Sequence, residues 1–189
     1  MTARFCAALL CLLLFGCTSA PKSYVDEPSD GSAAREAQTL RSLPRNAAGF
    51  YRLRGVRYHS DIAAYTVAYA YSHHELENRT TLYLYPKSSQ VPDLLAKHTE
   101  AIQEAYKDAR VVSEDAAAVQ QHDGAQSGQI RTFSYVADFN GKDQQVWSGL
   151  VVVTLPERVF VARSTSPIRQ GAHARQKLIE LLSALQWSE

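Results

Sequence analysis

The plainest pattern in this chain is a strict alternation from Ala63 to Ser72. Tyr65, Val67, Tyr69 and Tyr71 point one way, and Ala64, Thr66, Ala68 and Ala70 point the other. A repeat of two is the signature of a β-strand. Polar residues His73 to Asn78 follow and predict a hairpin loop, and Arg79–Tyr85 predicts its partner strand, ended by Pro86. Upstream, Gly49–Tyr58 reads as one strand. From Val91 to Asp108 the period changes. Leu94, Leu95, His98, Ile102, Ala105 and Tyr106 recur at helical spacing, and Pro92 suits a first helical turn.

The second half predicts strands over Arg110–Gln120, Gln129–Phe139, Gln144–Thr154 and Arg158–Ser164. His122–Gly128 reads as a loop, and Asn140-Gly141 is a strong hairpin signal. A last helix over Arg169–Leu185 gathers Leu178, Ile179, Leu181, Leu182 and Leu185 on one broad face. The order is βββαββββα. Short connections between neighbouring strands predict an α+β fold with an antiparallel sheet of about six or seven strands. Apolar or aromatic residues on both faces of that sheet call for helices on both sides.

The hairpin raises a question about its tyrosines. If its register pairs odd with odd positions, Tyr65, Tyr69, Tyr71, Tyr83 and Tyr85 lie on one face, opposite Ala64, Ala68, Ala70, Leu82 and Leu84. A helix covering that face would leave the hydroxyls to find partners at its edge. A partly open face would instead form an aromatic groove for a ligand or partner.

The start of the chain is of another kind. Arg4 precedes an apolar run from Phe5 to Phe15, which has the length of a secretory signal and is too short to span a bilayer. The run ends Leu14-Phe15-Gly16-Cys17. This resembles the lipobox of bacterial lipoproteins. The resemblance implies removal of residues 1–16, a diacylglyceryl thioether on Cys17 and acylation of the new amine. Several acyl chains anchor stably where one binds marginally. Thr18, not Asp, follows the cysteine, which implies the inner leaflet of the outer membrane, facing the periplasm. Residues 17–46 are rich in Ser, Ala, Pro, Asp and Glu and read as a mostly disordered tether. Residues 47–189 then form the single domain. A short helix over Ala33–Leu43 is compatible with the sequence but weakly marked.

Composition narrows the function classes. Cys6 and Cys11 fall in the signal, so the mature chain keeps only Cys17 and cannot form an internal disulfide. Without Arg4, 19 basic residues face 19 acidic ones, so nothing points to nucleic acid. His73-His74-Glu75 is the most metal-like cluster. Its spacing fits neither face of a strand nor a helical pair, and no metal or other cofactor is expected. Gly124-Ala125-Gln126-Ser127-Gly128 places its serine one position late for a nucleophile elbow. Ser19 and Lys22 have serine–lysine spacing but lie in the tether, which cannot preorganise them. Arg45, Arg52, Arg54 and Arg57 crowd the first strand, either protecting an edge or receiving an anion or lipid headgroup.

Two further resemblances concern the domain. Its element order is similar to the Mog1/PsbP-like fold. Leu43-Pro44, Ala48-Gly49-Phe50, Arg57-Tyr58 and Thr81-Leu82-Tyr83-Leu84-Tyr85 resemble uncharacterised exported proteobacterial proteins, which implies no known activity. The expectation is a membrane-anchored, non-catalytic binding or envelope-assembly module. Two alternatives stand beside it: a carrier or sensor of a small apolar ligand using the tyrosine face, and an enzyme whose residues meet only in space.

Overall fold

A computed structural model describes residues 31–53, 55–59, 64–73, 76–122 and 124–185. The predicted signal, Cys17 and the predicted tether up to residue 30 lie outside the described residues, as do Arg54, His74, Glu75 and Asp123.

The chain opens with helix α1 (Gly31–Ser42) and continues through short strands β1 (Asn46–Ala47), β2 (Phe50–Arg52) and β3 (Arg57–His59). The hairpin β4 (Ala64–His73) and β5 (Leu76–Pro86) leads into helix α2 (Val91–Ala105). Four long strands follow: β6 (Arg110–Gln121), β7 (Gly124–Asp138), β8 (Asp143–Thr154) and β9 (Arg158–Pro167). A 3₁₀ turn, Ile168–Gln170, then opens helix α3 (Gly171–Ala184). All strand pairs are antiparallel, in the order β1-β2-β4-β5-β9-β8-β7-β6, with β3 also against β4. The α+β class with helices on both faces is therefore as the pattern predicts.

The nine strands among the described residues exceed the predicted number because the predicted strand Gly49–Tyr58 divides into β2 and β3, and β1 lies before it. Ala47 pairs with Phe50, so Ala48 and Gly49 form a tight turn, with φ of 50° and 83°. Glycine suits position 49 twice over: any Cβ there would lie 2.7 Å from the Tyr71 ring.

Two predicted loops are strand instead. Leu76 to Asn78 belongs to β5, and Gly124 to Gly128 belongs to β7. Polarity misleads at Asn78, which is buried with its Oδ1 accepting hydrogen bonds from Thr80 (2.9 Å) and Ser164 (2.6 Å). The Asn140-Gly141 turn forms as expected, with φ of 59° and 77°.

The folded part also begins earlier than residue 47. Ala37 and Leu40 of α1, with Leu43 just beyond it, are buried in the core with Phe50, Tyr69 and Leu84. The predicted tether, residues 17–46, therefore overlaps the fold, because Ala37, Leu40 and Leu43 pack in its core. The Arg52 guanidinium reaches the carbonyls of Leu40, Arg41 and Leu43 at 3.2–3.4 Å, where it completes the C-terminal turn of α1. Tyr69 donates to the Pro44 carbonyl at 2.6 Å, and Arg158 donates to Thr39. Arg52 thereby acts as a helix cap, and β2 is flanked by β1 and β4 rather than lying at an open edge.

The sheet has two cores. On one face α1 and α3 cover Tyr65, Val67, Tyr69, Leu82, Leu84, Ile130, Val151 and Phe160. On the other, α2 covers Tyr85, Phe133, Tyr135, Leu150, Val152 and Val161.

Candidate functional site

The register of β4 and β5 decides the fate of the tyrosines. Tyr65 pairs with Leu84, Thr66 with Tyr83 and Val67 with Leu82. Odd positions thus pair with even ones, and the five-tyrosine face does not exist. Tyr65, Tyr69 and Tyr71 lie on the α1/α3 face with Leu82 and Leu84, while Tyr83 and Tyr85 lie on the α2 face with Ala64 and Thr66. Tyr65, Tyr69 and Tyr85 are buried, and Tyr71 and Tyr83 are half-buried. Burial raises the Tyr69 phenol above its ordinary value, and the Arg52 charge opposes it. An aromatic groove built from these five residues is excluded by geometry.

Polar chemistry gathers instead on the α2 face, around residues whose sequence context gives no local signal. His98, on the buried side of α2, lies between two tyrosine rings. Tyr83 is edge-on at 4.8 Å, and Tyr85 at 5.8 Å shares a hydrogen bond of 2.9 Å between its hydroxyl and Nε2. Burial is the main cause that drives the imidazole down to a pKa of about 4, with Lys97 and Arg163 adding repulsion. Such a shift at the wall of a cleft marks a catalytic candidate. His98 is only 7 % exposed and its Nε2 is committed to Tyr85, so the neutral ring is a structural link between α2 and the sheet.

Arg163, in the central strand β9, is the more unusual group. It is paired across the sheet with Leu150 on one side and Thr81 on the other. Leu150 also pairs with Arg131, so the two arginines flank one leucine on a single face. Arg131 has a carboxylate: its Nε and Nη2 donate to Glu114 at 2.9 and 2.6 Å, and Nη1 donates to Thr99 at 2.8 Å. Arg163 has none among the described residues. Its Nη2 donates to the Tyr135 hydroxyl at 2.9 Å, and its Nε is sealed without a partner. Tyr106, just past α2, stacks on Tyr135 at 4.2 Å and lies 5.7 Å from the Arg163 guanidinium.

Desolvation works against the charge of Arg163. The Tyr135 hydroxyl and the nearby Tyr83 and Tyr106 outweigh it, and the guanidinium is held above its usual value. Arg163 therefore stays cationic. It keeps most of its donors uncommitted and remains partly exposed. The arrangement is chemically suited to an oxygen anion, which a guanidinium meets with two parallel donors.

The other sequence candidates do not join this site. His73 and Leu76 close the β4–β5 hairpin, and the intervening His74 and Glu75 lie outside the described residues. Among the described residues no three His, Cys, Asp or Glu side chains group in a way that could hold a metal ion. Ser127 sits in β7 opposite Ala118, remote from any strand-to-helix turn. No described helix is long and apolar enough to cross a membrane. The fold and site together define an α+β domain with one sealed face and one face carrying a partly exposed, uncompensated cation.

No protein-family profile matches the chain, and no curated protein matches it. Among solved structures it is similar to cyanobacterial PsbP (CyanoP) from Synechocystis sp. PCC 6803, with 12% sequence identity and a TM-score of 0.44. The match covers 79% of this chain and 94% of that one.

Proposed function

We propose that this chain is an envelope lipoprotein and a non-catalytic binding or assembly module. In this reading it is cut before Cys17 and held by lipid to the periplasmic side of the outer membrane. The lipobox-like Leu14 to Cys17 supports the address. Arg163 carries the binding reading: a cation in the middle of a sheet, without a carboxylate among the described residues, in a ring of tyrosines. Burying such a charge costs stability unless a partner compensates it. An anionic group on a protein partner, a side-chain carboxylate, would supply that compensation.

The test is site-specific photocrosslinking in intact cells from position 81, which neighbours Arg163 across the strands. The expected result is a discrete protein adduct that disappears in Arg163→Met. An unchanged adduct pattern in Arg163→Met overturns the assignment. The address is checked separately by labelled fatty acid. Wild-type chain incorporates it, while Cys17→Ser does not and is released without unfolding. Label retained by Cys17→Ser defeats the lipoprotein reading.

A further inference from the structure

Helix α2 packs mainly against β8, and two rows of paired residues cross the same face of the sheet beside it. The first row is set by hydrogen bonds and register. The Leu53 amide donates to the Ala68 carbonyl at 2.8 Å, which continues the β2–β4 pairing past Arg52. Ala68 then pairs with Thr81, and Thr81 with Arg163. The second row runs Tyr51, Ala70, Arg79 and Thr165. Each row begins with a large apolar side chain that is 45 % exposed. Tyr51 and Leu53 are two residues apart in extended chain, so they stand side by side on one face.

The floor between the apolar pair and the cations is low. Ala68 and Thr81 are small and only half-buried. Charge along the two rows is uneven. Arg79 turns to Asn140, which also donates to Glu77, so those two charges are linked through one side chain. Arg163 has only the Tyr135 hydroxyl, and its Nε has no partner. An exposed apolar pair, a floor of small residues and a cation without a carboxylate among the described residues therefore lie along one line.

We infer that the protein partner of this face is held at two points: a carboxylate on Arg163 and an apolar side chain seated on Leu53 and Tyr51, with its chain crossing Ala68 and Thr81 between them. This rests on the binding reading of Arg163 and adds a second anchor to it. Spacing selects the occupant. Leu53 and Arg163 are separated by three strand spacings, about 14 Å. That is longer than two turns of a helix, about 11 Å, so the two groups belong on a protein segment rather than on a compact metabolite. Openness selects it again. A small ligand is ordinarily enclosed over most of its surface, whereas an exposed apolar patch rimmed by polar groups marks a protein contact. The small side chains at the centre let a partner's backbone approach the sheet.

The test is photocrosslinking in intact cells from two positions of the full-length chain. Benzoylphenylalanine replaces Tyr51 in one protein and Thr81 in the other, and mass spectrometry identifies each adduct. Both positions should trap the same polypeptide. Leu53→Ser shortens the apolar anchor, and Ala68→Trp fills the floor. Each should lower the yield from position 81 by about tenfold, the effect of losing an interface anchor, with circular dichroism unchanged. Leu53 is exposed and its replacement spares the core, so if Ala68→Trp loses its fold, Leu53→Ser decides alone. An adduct that vanishes in Arg163→Met but keeps its yield in Leu53→Ser overturns the second anchor and leaves the binding reading standing. An adduct indifferent to Arg163→Met, or no adduct from either position, overturns both. Different polypeptides from the two positions, an adduct of lipid mass, or a second copy of this chain also overturns the two-point docking.

Discussion

The two faces of the sheet are built from the same strands and covered in different ways. Under α1 and α3 the contacts are mostly aliphatic and aromatic, with a buried polar group, Asn78 with Thr80 and Ser164, among them. Leu40, Leu178, Leu181, Leu182 and Leu185 are each fully or almost fully buried against Val67, Leu82 and Val151. Trp147 completes the fit. Its ring lies so close to Gly149 and Gly171 that a Cβ would meet it at 2.5 Å and 2.9 Å respectively. Under the single helix α2, polar atoms penetrate the packing: His98 with Tyr85, Arg163 with Tyr135, and Arg131 with Thr99. One face commits nearly all its groups to folding. The other keeps a charge with no carboxylate partner among the described residues, and the proposed binding reading rests on that difference.

Large-to-small changes should separate the faces most sharply. Leu178→Ala and Leu40→Ala each remove a fully buried side chain from the sealed face. Each should destabilise by about 3 kcal/mol, the usual cost of a core Leu→Ala change. Urea denaturation with the slope held constant is the check. Leu40 carries the additional claim that α1 belongs to the domain. A loss below about 0.5 kcal/mol there would return residues 31–43 to the tether.

The next effect belongs to His98 and to pH. Its folded value of about 4 lies below the unfolded 6.5. Above 6.5 the ring is neutral in both states and its contribution to stability is complete. As pH falls from 6.5 toward 4, the unfolded chain takes up a proton that the folded chain refuses, so stability drops. The loss across that window is about 3 kcal/mol at most. His98→Gln keeps a partner for Tyr85 and does not titrate. Stability curves of the two proteins should diverge below pH 6.5 and run parallel above it. Parallel curves throughout would mean that the ring is more hydrated than its packing implies.

These contrasts explain what the sequence disclosed and what it hid. Strand β4, helix α3 and the Asn140-Gly141 turn are legible because each rests on local periodicity or local turn chemistry. The β4–β5 register is not. Both strands alternate cleanly, so odd-with-odd and odd-with-even pairings each yield a sensible pair of faces. Only the closing pair His73–Leu76 selects between them. Helix α1 forms where Ala33–Leu43 faintly marks a helix, but its packing is hidden because Ala37 and Leu40 become a core only against the sheet. Asn78 was hidden by its own polarity, since its partner Ser164 is 86 residues away. Arg163 is one cation in an alternating strand. Its distinction is the absence of a carboxylate across two neighbouring strands, which no window of sequence displays.

The smallest expected stability change carries the most information about function. Arg163→Met keeps the length and apolar stem of the side chain and removes the charge. If Arg163 served the fold, its loss would resemble the breaking of a buried pair and cost several kcal/mol. No carboxylate pairs with it among the described residues, and the Tyr135 hydroxyl remains able to turn toward another acceptor. The substitution should therefore change stability by less than about 1 kcal/mol, and a gain is as compatible as a loss. Arg131→Met is the matched control, because it strands Glu114 and releases Thr99. It should cost more than Arg163→Met, although partial exposure of the Arg131–Glu114 pair keeps the difference to about 1 kcal/mol. The reverse order in thermal melts at neutral pH would make Arg163 a structural group and remove the reason for placing a partner on the α2 face.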